Sequence, residues 1–198
     1  MRKLPAWTPA KVVALRGNHE DAWVKVVDEG WPEFVVPRGN GCLEAMRSFL
    51  KEPPPGQDDA PTADEMKQML KGSFLPEDVV AWMRELPYFY EDEHALYVHA
   101  GLSRQDGKFA HPSEVEPKRA LLWLRDNDFF QNYEGKLVVF GHTTTDQLPE
   151  ELSSHTPDDP TDMWAGPSAI GLDTGAGKGG FLTALELPSR NVYESRDK

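Results

Sequence analysis

One cysteine in 198 residues, Cys42, has no partner for an internal disulfide, so the fold owes nothing to an oxidising compartment. Cys42 itself reads as a small, semi-buried side chain. No stretch approaches the roughly 20 apolar residues of a membrane helix. The opening Met1-Arg2-Lys3-Leu4-Pro5-Ala6-Trp7 carries a basic pair with no apolar run behind it before Lys11, so it does not read as a secretion signal. The expected setting is the cytoplasm, with no membrane partner. Basic residues are also scarce: 21 Lys and Arg stand against 33 Asp and Glu, a formal charge of −12. A surface that acidic repels phosphate backbones, so nucleic acid is not an expected partner. No internal repeat and no extended low-complexity segment is present either.

What is there can build a core. Hydrophobic residues make up 39% of the chain, with six Trp and nine Phe, which is too apolar for a disordered tail. The length suits one domain, taken as residues 1–198. Seventeen prolines and sixteen glycines predict many short elements joined by definite turns, which favours an α/β or β-rich fold over a helical bundle.

Lys11 to Leu15 is a short β-branched run that stops at Gly17 and reads as a buried strand, delivering Arg16-Gly17-Asn18-His19-Glu20 in a loop at its carboxyl end. A helix can start within Glu20 to Val27. Glu52 to Pro61 holds four prolines and reads as an exposed loop. Pro76 opens a helix with Val79, Trp82, Met83 and Leu86 on one face, and Pro87 closes it. His94 to Val98 is a second strand, Pro117 to Arg125 a helix, and Leu137 to Phe140 a third strand. Ala169 to Leu172, Phe181 to Leu187 and Val192-Tyr193 are further strands. The glycine-rich turn Gly175 to Gly180 reads as a hairpin connection: its Lys178 suggests a phosphate loop, but the Walker spacing is absent and a strand follows.

Three times a short apolar strand ends at a Gly-flanked polar residue suited to ligating a metal: Asn18, His99 and His142. Loops beyond the carboxyl ends of strands are the usual place for a site in an α/β sheet, and glycine lets the backbone approach a ligand closely. A lone strand-end histidine is more often structural. The joint order Gly17-Asn18-His19-Glu20, Val98-His99-Ala100-Gly101 and Phe140-Gly141-His142-Thr143 is more specific. It resembles the later motifs of the calcineurin-like metallophosphoesterases, in particular the bacterial phosphoprotein phosphatase (Ser/Thr protein phosphatase) type.

The resemblance implies an α/β fold with a metallophosphoesterase-type β-sheet sandwich flanked by helices. It implies two divalent metal ions, Mn, Fe or Zn, with Asn18, His99 and His142 as protein ligands of one of them. His19 is implied as the general acid that protonates the leaving oxygen, and Glu20 as a partner behind the ligands. Neutral imidazole and an amide oxygen suit such ions, and a metal pair activates a hydroxide for in-line attack on phosphorus. Arg125, in Leu121-Leu122-Trp123-Leu124-Arg125, resembles the arginine with which the bacterial enzymes grip the substrate phosphate, a task suited to a guanidinium. The other reading of Arg125 is a surface arginine paired with Asp126 or Asp128. Arg16 is expected to brace the loop, and Asp173-Thr174-Gly175-Ala176 resembles a late segment near the metals, with Asp173 supporting the site or forming the turn. His94, His111 and His155 are expected in solvated or structural roles.

The family pattern opens with Gly-Asp-x-His-Gly and Gly-Asp-x-x-Asp-Arg-Gly, and neither is in this sequence. The first strand-helix units are therefore expected to be absent, leaving an N-terminally incomplete domain whose Met1 is an internal start or a true truncation. The expected function is metal-dependent hydrolysis of phosphate esters, on a phosphorylated protein or a small phosphoester. Weak metal binding and little turnover are expected, because the first metal's ligands are missing. Two alternatives stand beside it: a dinucleoside polyphosphate hydrolase of the diadenosine tetraphosphate type, and a non-catalytic fragment.

Overall fold

The structure is a computed structural model that describes residues 2–154, 159 and 162–196. Met1 and His155, and with them the expectations placed on them, lie outside the described residues. The chain divides into two compact units: Met1–Leu4 with Asn18–Leu86, and Pro5–Gly17 with Pro87–Lys198.

The first unit is helical. Its elements are α1 (Asn18–Glu29), α2 (Pro32–Val35), α3 (Cys42–Leu50), α4 (Ala63–Lys71) and α5 (Glu77–Glu85). In α1 the buried Ala22, Trp23 and Val26 share one face. Gly30, at φ +76, then closes the helix in the left-handed conformation that glycine takes without penalty. A reciprocal capping box starts α4: Thr62 Oγ1 accepts from the Glu65 backbone N–H at 3.2 Å, and Glu65 Oε2 accepts from the Thr62 backbone N–H at 2.7 Å. Pro76 caps α5, whose acidic first turn (Glu77, Asp78) complements the helix N-terminus, and Val80 and Met83 are buried. The core gathers Trp23, Val26, Phe34, Met46, Met69 and Phe74. Trp23 meets Phe34 and Phe74 edge-on, at ring centroid distances of 5.4 and 5.0 Å. The 52–61 segment is a mostly exposed loop, as its composition requires.

The second unit carries the sheet. In chain order it contains β1 (Phe89–Glu91), β2 (Leu96–Val98), β3 (Arg104–Gln105), β4 (Lys108–Phe109), α6 (Ala120–Trp123), α7 (Asn127–Asn132), β5 (Val138–Phe140), β6 (Trp164–Ala165), β7 (Ala169–Gly171), β8 (Thr183–Leu185) and β9 (Val192–Glu194). Five strands form one sheet in the order β1-β2-β5-β7-β6. The central β2, β5 and β7 run parallel, and β1 and β6 are antiparallel edges. The fold is thus α/β with a mixed sheet. Val98, Phe129, Phe130, Phe140 and Trp164 build one apolar cluster, and Ile170, Leu172, Leu185 and Val192 belong to another, which sets the β8–β9 hairpin against the sheet.

Three sequence expectations change here. Residues 11–15 form no strand; the segment is tied at its two ends, with the Lys11 amine 4.7 Å above the Tyr90 ring and the Arg16 N–H donating to the Pro87 carbonyl at 2.8 Å. The helix expected over 117–125 is limited to Ala120–Trp123, because Leu124 turns to extended backbone and packs into the apolar cluster under β2. The 175–180 turn is no hairpin connection, since it leads from β7 to β8, which pairs with β9. Among the described residues, no helix is long and apolar enough to cross a membrane.

Candidate active site

In the sheet unit, the three parallel strands deliver their next residues side by side. Val98 of β2 is followed by His99, Phe140 of β5 by Gly141-His142, and Gly171 of β7 by Leu172-Asp173. Backbone bonds lock this row: Gly141 N–H donates to His99 C=O at 2.9 Å, Leu172 N–H to Phe140 C=O at 2.9 Å, and Thr145 N–H to Asp173 C=O at 2.9 Å. The carboxyl edge of adjacent parallel strands is where α/β sheets place ligands.

His142 is held in a costly conformation. Its φ is +68°, and the Thr143 N–H reaches back to the Gly141 carbonyl at 2.7 Å, so His142 is the central residue of a tight γ-turn of the rare positive-φ hand. A non-glycine residue held there costs roughly 1–3 kcal/mol and persists only where its surroundings enforce it, most often at functional sites. Next to it, the Thr143 hydroxyl is buried without a hydrogen-bond partner among the described residues, a second local cost. The turn aims the His142 ring at His99, with centroids 5.0 Å apart and planes at 58°. Trp123, itself 37% exposed, meets the His142 ring edge-on at 6.1 Å.

Arg125 lies on the same turn. One terminal nitrogen donates to the His142 carbonyl at 3.4 Å, and the other donates to Gln147 Oε1 at 3.2 Å. Both partners are neutral oxygens. The two acids next to it in sequence are engaged elsewhere: Asp126 caps α7, and Asp128 pairs with Arg104. Among the described residues Arg125 therefore has no carboxylate partner, and its charge is uncompensated beside the two histidines. This overturns the ion-pair reading of Arg125.

Asp173 Oδ1 accepts from the Gly175 N–H at 3.1 Å, so its side chain shapes the turn that follows. Beside Gly141 and Asp173 lies a cavity of ≈ 380 Å³, walled by Tyr97, Val139, Leu172, Phe181 and Leu182. Burial, helped by the Asp92 carboxylate, pushes the Tyr97 phenol up to about 12, so its hydroxyl stays protonated at physiological pH.

No family model and no curated protein sequence matches the chain. Among solved structures, the crystal structure of a provisionally assigned diadenosine tetraphosphatase is similar to it, with 19% identity and a TM-score of 0.48 over 92% of this chain and 67% of that one.

The remaining sequence candidates sit as follows. Asn18, His19 and Glu20 belong to the helical unit and form the first turn of α1, where a loop was expected. The acidic Glu20 and Asp21 favour a helix start at that point. Asn18 is buried, and the exposed His19 sets its ring edge-on to Phe34 at 5.4 Å. Arg16, in the sheet unit, is buried and donates to the Tyr88 hydroxyl at 2.8 Å. His111 lies 2.6 Å from Ser113 Oγ and 3.1 Å from Glu91 Oε2, and His94 lies 3.6 Å from Glu93. Sequence reasoning passed over Gln147 and Thr143. Nothing local marks a glutamine in a polar turn, whereas the Thr next to His142 stood within the quoted motif.

The implied metal can be tested against this donor set. Two imidazoles on adjacent strand ends are suitable donors for Mn, Fe or Zn when neutral. Among the described residues no group of three or more His, Cys, Asp or Glu side chains is placed to hold a metal ion. The sheet unit therefore fits such an ion with two donors of a set, not with a complete coordination shell.

Proposed function

We propose that the chain belongs to the hydrolases of phosphate esters, with His99 and His142 as metal donors and Arg125 as the residue that engages the phosphoryl group. The single observation behind this is the His142 turn. A strained histidine faces a second histidine at 5.0 Å, and the arginine on its carbonyl carries a charge that no carboxylate among the described residues offsets. The order of the three motifs in the sequence gives the same reading.

A divalent ion, when bound, would supply Lewis acidity and acidify water. The chain's own residues do the rest. His99 and His142 present imidazole nitrogens from the carboxyl ends of adjacent strands. Arg125 binds and orients an oxyanion through its fork of N–H donors. The roles that the family resemblance gives to Asn18 as a ligand and His19 as general acid are part of the proposal and are read by substituting them.

A second reading, hydrolysis of dinucleoside polyphosphates, is favoured by the ≈ 380 Å³ cavity with Tyr97 and Phe181 in its wall, which suits an aromatic base better than a peptide. The deciding assay compares p-nitrophenyl phosphate, a phosphopeptide and diadenosine tetraphosphate in Mn²⁺. The expected result is slow, metal-dependent release of phosphate that His142→Ala and His19→Ala each abolish. Hydrolysis unaffected by either substitution, or no hydrolysis of any of the three at high enzyme concentration, refutes it.

A further inference from the structure

Arg125 is held in an unusual way for an exposed arginine in a chain with a formal charge of −12. Thirty-three carboxylate side chains are available in the sequence, and none among the described residues reaches it. Instead a backbone carbonyl takes one terminal nitrogen and the Gln147 amide oxygen takes the other. A guanidinium has five N–H donors, and these two bonds use one on each terminal nitrogen. The plane of the group is fixed at two points while three donors remain for a ligand.

We infer that Gln147 is a positioning residue: it orients Arg125 toward an oxyanion without neutralising it, and its lack of charge is what keeps the site selective for phosphate-type anions. This rests on the reading of Arg125 as the phosphoryl-engaging residue. The residue type matters because glutamate has nearly the same shape and reach. A carboxylate at position 147 would still hold Arg125, and would hold it more tightly, since charge-assisted hydrogen bonds are stronger than neutral ones. It would also place a negative charge where the anion must come. Removing the side chain, by contrast, frees the guanidinium to swing.

The two effects separate a positioning role from a merely structural one. In Gln147→Glu the local structure is kept or strengthened while anion binding is lost. Gln147→Ala leaves the charge intact and weakens binding only through lost orientation.

The experiment is a calorimetric titration of inorganic phosphate at low ionic strength into the full chain, with thermal midpoints measured in parallel. The variants are Arg125→Ala, Gln147→Glu, Gln147→Ala and the double variant Arg125→Ala/Gln147→Glu. The expected result is a loss of about tenfold or more in phosphate affinity for Gln147→Glu at an unchanged or raised midpoint, and a loss of about two- to fivefold for Gln147→Ala, taking roughly 1.4 kcal/mol per decade. Once Arg125 is removed, Gln147→Glu adds nothing further. Phosphate bound by Gln147→Glu as tightly as by the unmodified chain, with Arg125→Ala still defective, overturns the role of Gln147 alone. Phosphate affinity unaffected by Arg125→Ala, or no phosphate binding by the unmodified chain, overturns the reading of Arg125 and the inference with it.

Discussion

If His142 is kept in its γ-turn for function, the fold gains when the constraint is lifted. Comparing His142→Ala with His142→Gly isolates this. Both remove the ring and so lose the same ring contacts to His99 and Trp123 at 5.0 and 6.1 Å, worth about 0.5–1.5 kcal/mol. Both keep the backbone carbonyl that receives Arg125. They differ in how an alanine and a glycine tolerate φ +68°. The left-handed region costs a residue with a Cβ roughly 1–2 kcal/mol. Glycine avoids that cost but loses about 0.5–1 kcal/mol more backbone entropy on folding. His142→Gly is therefore expected to be more stable than His142→Ala by about 0.5–1 kcal/mol, although glycine is ordinarily the worse choice. For a chain of this size that is a difference of roughly 1–4 °C in thermal midpoint. Urea unfolding followed by tryptophan fluorescence gives the same difference independently. If His142→Gly is the less stable of the two, the turn is not strained at this residue, and the inference from strain to function fails.

Other perturbations give further expectations. Gly101 has φ +143°, and a Cβ there would sit 2.9 Å from Leu124 and Phe129 side-chain atoms, so Gly101→Ala should cost roughly 2–5 kcal/mol through strain and overpacking, read as a lower urea midpoint. A midpoint within experimental error of the parent would show that the chain after His99 is not packed this way. Hydrogen bonds from Arg47, then from Thr62, hold the Glu65 carboxyl down at about 2, below its unfolded value of about 4.3. The stabilisation from this pair between α3 and α4 is thus complete above about pH 4.5 and lost as pH falls toward 2. Glu65→Gln should flatten the thermal midpoint across that window, and an unchanged slope would contradict the pairing. Burial pushes the Cys42 thiol up to about 12, so it should resist a thiol-reactive disulfide reagent at pH 8 and react once urea unfolds the chain; rapid reaction of the folded protein would place it at the surface.

The sheet was legible from its apolar runs. Leu96–Val98, Val138–Phe140 and Ala169–Gly171 are largely buried strands inside the segments expected to hold them, because interior parallel strands read as near-continuous apolar runs. The same rule misread Lys11 to Leu15, since apolar residues can line a sheet unit without joining its ladder, and only pairing partners distinguish the two. Helix boundaries followed local chemistry at Pro76, where a proline and two acids open α5. They failed at Leu124, where a tertiary contact draws the chain out of the helix. Of the candidate site, His99, His142 and Arg125 were visible as residue types after strands and on a helix end, and the structure brings these three together in one unit. Asn18 and His19 were visible as well, but as a loop, since a glycine before an acidic run signals a turn and a helix start equally well. The role of Gln147 was not legible, because a hydrogen bond across 22 residues leaves no local trace.

The proposed function turns on His99 and His142 serving together as metal donors. Zn²⁺ competition against a chromophoric chelator tests it most directly, with His99→Ala, His142→Ala and, as a control for surface histidines, His111→Ala. The expected result is weak binding by the parent chain, a loss of at least about tenfold in each of the first two variants, and none in the control. Zn²⁺ held equally well by His99→Ala and His142→Ala as by the parent would contradict it.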